Sequence, residues 1–151
     1  MLSFTEFGET ATTPPLVIAH GLYGSGRNWG VIAKRLSDTR RVITPDMRNH
    51  GHSPFESTQS YEDMAHDLAE LIRHIGGPVD LCGHSMGGKA AMVMALRHLH
   101  GMDCGVDTHS LPDVSRMVAV ASGRPVAANK SIVGEAVFSH ESGIHVDGLL
   151  K

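Results

Sequence analysis

Short apolar runs, each bounded by glycine or proline, recur through the first part of the chain and constrain its fold more than any other feature. They are Leu16–Ala19 after two prolines, Arg41–Thr44 before a proline, and Val79–Cys82 after Gly-Gly-Pro. Runs of this kind are typical of strands buried on both faces, and such strands occur mostly in parallel sheets. Residues 2–7, LSFTEF, could precede them as an edge strand.

Amphipathic segments fill the gaps between these runs. Asn28–Leu36 and Ser60–Ile75 carry apolar residues at helical spacing, and a third helix is predicted over about residues 86–100. Ser60 is a suitable N-cap, and Asp63 three residues later makes a variant of the capping box. The alternation of strands and helices predicts an α/β fold in which right-handed crossovers join parallel strands.

This rhythm is lost in the last third of the chain, so two unlike parts are predicted, 1–96 and 97–151. Within the second part, Leu111–Ser122 is predicted to be one helix, because Pro112 near its start and Gly123 after its end fit helix boundaries. The rest is predicted to be loop, apart from IVGEAVF, which is ambiguous. The predicted fold class is therefore α/β, with three to four mostly parallel strands and flanking helices, followed by a helix-and-loop tail.

Composition narrows the class of function. The chain has 151 residues, a formal net charge of −3 and 41% hydrophobic residues, which is a globular composition. The slight acidity gives no electrostatic reason to expect a nucleic acid or an anionic membrane as partner. No apolar run approaches the roughly 18 residues of a membrane span, and the first residues do not resemble a signal peptide. Cys82 and Cys104 lack metal-site spacing, so a reduced, cytoplasmic protein with no metal and no other cofactor is predicted.

The strongest chemical signal is the pentapeptide Gly83–Gly87, which has the pattern G-x-S-x-G. A predicted strand ends directly before it and a predicted helix begins directly after it, as a nucleophile elbow requires. The glycines let strand and helix approach closely around a sharp turn. Ser85 is then at the helix N-terminus, where the helix dipole favours developing negative charge. The alternative is a glycine-rich turn with an incidental serine.

A second glycine-rich segment, His20–Gly24, follows the first apolar run. Acyl transfer needs amide donors aimed at the oxygen of the tetrahedral intermediate. The backbone amide of Leu22 can supply one donor, and that of Met86, the residue after the serine, can supply the other. An ordinary turn between strand and helix is the alternative interpretation.

Residues 14–96 resemble the α/β-hydrolase family, and its small single-domain esterases in particular. The motifs that carry the resemblance are HGLYGSGRNW, PDMRNHGHS and GHSMGGKAAM. The resemblance implies a partial α/β-hydrolase sheet, with Ser85 as the nucleophile and the amides of Leu22 and Met86 as the oxyanion hole.

The same resemblance implies supporting residues around the site. Asp46 and Arg48, in the pattern D-x-R-x-x-G-x-S, would brace the neighbouring loop without taking part in the chemistry. His84 is interpreted as a packing residue rather than a base, because its position in the turn aims it away from Ser85. The other supporting positions are His20, Gly21, Gly83 and Gly87.

A hydrolase of this type also needs an acid and a histidine after the nucleophile. The candidates are Asp103, Asp107, Glu135, His140 and His145. None of them ends a convincing predicted strand. A βαβ unit takes about 30 residues, so the rest of the eight-stranded sheet that the family implies does not fit into residues 86–151. The triad acid and base are therefore predicted to be missing, and hydrolysis is predicted to be impaired.

The second part of the chain resembles a different family. From near Met94 to Lys151 it is similar to the segment that follows the TIM-barrel domain of homocitrate and isopropylmalate synthases, with H-x-S-G-I-H-x-D-G as the distinctive string. That resemblance implies that His145 assists acid–base chemistry at a barrel's active site. The join between the two resemblances lies within Met92–Leu96, and the chain is interpreted as a chimera.

Three functions stay open. The first is a serine ester hydrolase, of carboxylesterase or thioesterase type, that acts on a small acyl ester or thioester. The second is a fragment of a synthase-type acyltransferase, which condenses acetyl-CoA with a 2-oxoacid. The third is an inactive hybrid, in which an unpaired sheet edge could lead to self-association.

Overall fold

The computed structural model describes residues 1–9, 12–76, 78–100, 114–121, 124–129, 136–139 and 143–146, with side chains as far as residue 96. The strands are β1 (Phe4–Phe7), β2 (Leu16–Ala19), β3 (Val42–Pro45), β4 (Val79–His84), β5 (Val114–Ala121), β6 (Arg124–Asn129), β7 (Ala136–Ser139) and β8 (Gly143–Val146). The helices are α1 (Gly30–Leu36), which a 3₁₀ turn at Gly26–Trp29 precedes, α2 (Tyr61–Ile75) and α3 (Met86–His100). Within the described ranges, no helix has both the length and the apolar character that a membrane crossing requires.

Six strands form one sheet in the order β1-β3-β2-β4-β5-β6. Strands β3, β2, β4 and β5 run parallel, while β1 and β6 pair antiparallel at the two ends. The predicted parallel strands and the predicted edge strand are confirmed, with small differences at their boundaries. The mostly parallel sheet with flanking helices is therefore the fold that the apolar runs predict.

Side chains of β2 alternate between two cores, which places helices on both faces of the sheet. Val17 packs with residues of α2 and α3, whereas Ile18 packs on the opposite face with α1. The three predicted helices are confirmed. Helix α2 begins at the predicted N-cap, where the Ser60 hydroxyl accepts the amide of Asp63 at 3.0 Å.

The tail contains strands where a helix and loops are predicted. The helix predicted over Leu111–Ser122 is wrong: its described part is β5, which pairs in parallel with β4. An apolar run fits either element, but the valines of VSRMVAVA favour a strand because β-branched side chains pack well on a pleated surface. The open edge of β4 then supplies a pairing partner. Strands β6 and β8 likewise occupy segments that are predicted to be loop.

The main sheet continues past the predicted boundary at residue 96, because β5 and β6 extend it. Strands β7 and β8 form a separate two-stranded sheet. The proposed join at Met92–Leu96 lies inside α3. The division into parts 1–96 and 97–151 therefore stays a prediction.

A buried ion pair lies at the amino-terminal edge of the parallel strands. Arg40 donates to the carboxylate of Asp80 at 2.7 Å and to the carbonyl of Pro14. Asp80 is buried, and its amide donates to the carbonyl of Pro15 at 2.8 Å. These contacts tie together the starts of β2, β3 and β4, at the edge opposite their carboxyl ends.

Candidate active site

The neighbouring strands β2 and β4 are followed by helices on opposite faces of the sheet, α1 on one and α3 on the other. The loops that leave these strands therefore diverge and open a crevice beyond the carboxyl ends. Open α/β sheets bind ligands at such a crevice. The two glycine-rich segments, His20–Gly24 and Gly83–Gly87, lie on either side of it.

Ser85 occupies the turn between β4 and α3. Its φ of +50° lies in the left-handed region, where a non-glycine residue costs about 1–3 kcal/mol and where functional residues are often found. The Ser85 carbonyl accepts the amide of Lys89 at 2.9 Å, which begins the hydrogen bonding of α3. The chain therefore holds a half-buried serine in a strained turn between a strand and a helix.

Two glycines of this turn make contacts that no other residue would permit. A Cβ atom on Gly87 would lie 2.5 Å from the carbonyl oxygen of Ala19 and 2.6 Å from that of His20. A Cβ atom on Gly83 would lie 2.6 Å from the carbonyl oxygen of Gly87. The start of α3 thus packs directly against the end of β2, and this contact brings the elbow to the neighbouring loop.

Gly87→Ala should lower the free energy of unfolding by about 1–3 kcal/mol, because the new methyl group meets two backbone oxygens that cannot rotate away. Gly30→Ala is the matched control, since a Cβ atom on this other helical glycine meets nothing within 4 Å. That substitution should stabilise the fold by up to about 1 kcal/mol. Urea unfolding measures both changes, and equal effects of the two alanines would contradict the steric argument.

The His20–Gly24 segment forms a tight turn. The amide of Gly24 donates to the carbonyl of Gly21 at 3.0 Å, which closes the turn. Tyr23, the third residue of the four-residue turn Gly21–Gly24, has a φ of +59°. Glycine or asparagine usually occupies such a position, so this turn carries strain that its surroundings must hold.

This turn lies against the elbow. A Cβ atom on Gly21 would be 3.3 Å from the Cβ of Ser85 and 2.8 Å from Nδ1 of His84. The loop that carries the Leu22 amide therefore adjoins the serine. That the amides of Leu22 and Met86 act as oxyanion donors stays a prediction.

His20 is buried below the turn, and both of its ring nitrogens are hydrogen-bonded. Its Nδ1 donates to the carbonyl of Gly21 at 2.7 Å, and its Nε2 accepts the amide of Met47 at 2.9 Å. Burial lowers the pKa of His20 below its ordinary value of 6.5, and the hydrogen bond to the Gly21 carbonyl opposes this shift. A neutral ring with both nitrogens engaged supports the loop and is not free to take a proton from Ser85.

Asp46 and Arg48 belong to the loop that follows β3 and bind it to its surroundings. Asp46 accepts the amides of Gly26 at 2.7 Å and His52 at 2.8 Å. Burial would raise the pKa of Asp46, but these hydrogen bonds outweigh burial and hold it below its usual value. Arg48 donates to Asp67 of α2 at 2.6 and 2.9 Å. Such contacts are what a bracing role requires, and the role itself stays a prediction.

A cavity of about 310 Å³ opens beside the elbow on the side of α1. Leu22, Trp29 and Ile32 form its apolar wall, and Asn28 and His84 add polar groups. The rings of His84 and Trp29 meet edge to face, with 6.1 Å between their centroids. Sequence reasoning does not identify Trp29 or Ile32 as site residues, because helical periodicity cannot show which apolar side chain borders a cavity.

Several predicted candidates lie beyond the described side chains. His145 is on β8, where the structure describes the backbone alone, and the other acids and histidine predicted after Ser85 fall outside the described residues. In the described part, no histidine is hydrogen-bonded to the Ser85 hydroxyl. The same part contains no group of three His, Cys, Asp or Glu residues that could hold a metal ion.

Comparison with known proteins gives two kinds of match. The family model for the alpha/beta hydrolase fold matches residues 14–139. The sn-1-specific diacylglycerol lipase ABHD11 of Mus musculus is 41% identical over 128 residues, which is 83% of this chain and 38% of that protein. A solved structure of a marine microorganism esterase is 48% identical, with a TM-score of 0.61, over 65% of this chain and 37% of the esterase chain.

A match of the second kind is 2-isopropylmalate synthase 2 of Caldanaerobacter subterraneus. It is 48% identical over 81 residues, which is 52% of this chain and 21% of the synthase. Because the lipase match covers 83% of the chain, the two matched stretches share at least 35% of it. The chain thus resembles both families, and it spans less than two fifths of the length of each of these relatives.

Proposed function

The chain belongs to the α/β-hydrolase family, and on that premise we propose that it is a serine ester hydrolase with Ser85 as its nucleophile. The observation that carries this proposal is the left-handed backbone of Ser85, at φ +50°, in the turn between β4 and α3. That geometry is costly for serine, and a nucleophile elbow is the arrangement that requires it. Esterase and lipase relatives support an ester as the substrate.

The proposed chemistry is nucleophilic acyl transfer. The Ser85 oxygen attacks the carbonyl carbon of the ester, and the carbonyl electron pair moves onto the oxygen. The amides of Leu22 and Met86 then donate to that oxyanion, beside the positive end of the α3 dipole. Collapse of the intermediate expels the alcohol or thiol, which takes up the proton that the serine lost, and water later releases the acid.

The substrate we propose is a small acyl ester or thioester. The cavity beside the elbow has a volume of about 310 Å³, which is at the lower limit of typical ligand pockets. Its apolar wall of Leu22, Trp29 and Ile32 suits a short hydrocarbon group. His84, which precedes Ser85, and Gly21, which lies against Ser85, both line this cavity, so we propose that the group binds there while the ester carbonyl reaches Ser85.

We also propose that turnover by this chain is weak. A serine hydroxyl has a pKa far above neutrality and needs a base to become a good nucleophile. None of the described histidines is hydrogen-bonded to Ser85, and both ring nitrogens of His20 are already engaged in hydrogen bonds to the backbone. We therefore expect slow hydrolysis of an activated ester such as nitrophenyl acetate, and none of an ordinary alkyl ester.

A fluorophosphonate probe tests the proposed nucleophile. The purified full chain should form one covalent adduct, and peptide mapping should place it on Ser85 within the peptide that contains GHSMGG. Heat-denatured protein is the control, because the proposed arrangement of Ser85 beside the Leu22 and Met86 amides requires the folded chain. An adduct on another serine, or none on folded protein, would refute the nucleophile proposal.

A second candidate function is a synthase-type segment, which the 48% identity to 2-isopropylmalate synthase 2 favours. In this proposal His145 would serve a barrel supplied by another chain. Rescue of a barrel-only synthase by this protein would support it. Equal rescue by wild type and His145→Ala would remove the proposed role of that histidine.

The chimera and its assembly are likewise proposals. If the fusion at Met92–Leu96 is real, genomic reads should run continuously across these codons. A break in coverage there would contradict a real fusion. From the sequence we also propose that the chain acts in the cytoplasm. A further proposal is self-association through an edge of the main sheet, which analytical ultracentrifugation tests.

A further inference from the structure

Two histidines connect the loop after β2 with the loop after β3. Each histidine accepts a backbone amide from the other loop. His20, at the end of β2, accepts the amide of Met47 in the loop after β3. His50, in the loop after β3, accepts the amide of Tyr23 in the loop after β2, at 3.2 Å. The rings lie edge to face with centroids 5.2 Å apart. The two loops are thus linked twice, in opposite directions.

The hydrogen bonds define the tautomer of both rings. A backbone amide can only donate, so Nε2 of each ring must be an unprotonated acceptor. The protons then lie on Nδ1, and each Nδ1 faces a carbonyl oxygen: that of Gly21 at 2.7 Å from His20, and that of Arg48 at 2.8 Å from His50. Both rings are therefore neutral in this arrangement, with no nitrogen left over for a metal ion or for proton transfer.

The bond from Tyr23 to His50 holds the strained part of the loop. Tyr23 has a φ of +59° with a side chain that is 92% exposed, so its own side chain contributes little packing that would keep it there. Its amide is anchored by His50 instead. The Leu22 amide, one residue earlier, takes its direction from this same turn.

We propose that His50 is a positioning residue for acyl transfer: by accepting the Tyr23 amide it holds the His20–Gly24 turn in the conformation that aims the Leu22 amide at the substrate's carbonyl oxygen. This inference rests on the proposed nucleophile Ser85. His50 does not touch the reacting atoms, and its effect passes through the backbone of the turn.

Two conservative variants separate this role from general packing. His50→Gln places an amide oxygen near the position of Nε2 and keeps an acceptor for Tyr23. His50→Asn is shorter, matches the position of Nδ1 and leaves the Tyr23 amide without an acceptor. The first-order rate of fluorophosphonate labelling should fall about tenfold or more in His50→Asn, because loss of an oxyanion donor typically costs at least that much. In His50→Gln it should stay within about threefold of wild type, and the probe's binding constant should change little in either variant.

A second readout does not depend on labelling. ¹⁵N NMR of the imidazole rings should show the Nδ1–H tautomer for both His20 and His50. Amide exchange at Tyr23 should be slow in wild type and His50→Gln, and faster in His50→Asn.

The outcomes are distinct. If folded wild type is not labelled, the nucleophile proposal fails, and the exchange of Tyr23 still decides whether His50 holds the turn. If wild type is labelled but His50→Asn reacts equally fast, or both variants lose rate equally, His50 is not a positioning residue. An Nε2–H tautomer of His50 would overturn the inference directly.

Discussion

Ser85→Ala should abolish fluorophosphonate labelling and reduce hydrolysis of an activated ester to the rate in buffer. The oxygen that forms the bond to the probe is absent in this variant, whereas the Cβ atom and the strained φ of +50° can both remain. The thiol of Cys82 does not replace the lost hydroxyl, because burial raises its pKa and keeps it protonated. Intact-mass spectrometry and a nitrophenyl acetate assay measure the two losses.

Ser60→Ala is the matched control for this loss. The Ser60 hydroxyl caps α2 by accepting the amide of Asp63, and within the described residues it forms no hydrogen bond to Ser85 or Met86. Removal of an N-cap lowers stability by about 1 kcal/mol. This variant therefore tests whether mild destabilisation of the fold is by itself enough to reduce labelling. It should be labelled at the wild-type rate. Retained labelling of Ser85→Ala would mean that the probe marks a different residue.

Asp80→Ala should lower the free energy of unfolding by about 3 kcal/mol, since it leaves the guanidinium of Arg40 without its carboxylate in a mostly buried position. The side chains of Arg40 and Asp80 are only 18% and 8% exposed. Nε of Arg40 already has no hydrogen-bond partner among the described residues, and after the substitution the carbonyl of Pro14 is the partner that the guanidinium keeps. Chemical denaturation measures the change.

The neighbouring pair Arg41–Glu6 gives the comparison. It joins Glu6 of β1 to the residue directly before β3 at 2.6 Å, but the Glu6 side chain is 39% exposed. Exposed ion pairs contribute about 0–1 kcal/mol, so Glu6→Ala should have a small effect. If Asp80→Ala is as mild as Glu6→Ala, the buried pair does not tie the strands as proposed. The double variant Arg40→Met/Asp80→Leu should recover much of the loss, because it leaves no charge unpaired.

Much of the fold can be predicted from local sequence. The runs Leu16–Ala19 and Val79–Cys82 are strands because they are short, apolar and bounded by glycine or proline, and α2 starts at Ser60 because its cap is encoded within four residues. The elbow is equally local: one strand end, one turn and one helix start place Ser85. A resemblance to the α/β-hydrolase family is readable in the same motifs and is supported by the match to residues 14–139.

The sequence by itself determined the elements up to α3 and the sharp turn at Ser85, since each depends on residues within a few positions of one another. Only the tertiary structure decided that Val114–Ala121 is a strand, because its valines give no more than a preference and the open edge of β4 supplies the pairing partner. It also decided the contacts between distant residues. His50 reaches the amide of Tyr23 across 27 positions, and Arg40 reaches Asp80 across 40. No local pattern encodes such pairs, because the partner of a polar side chain depends on which loops the sheet brings together.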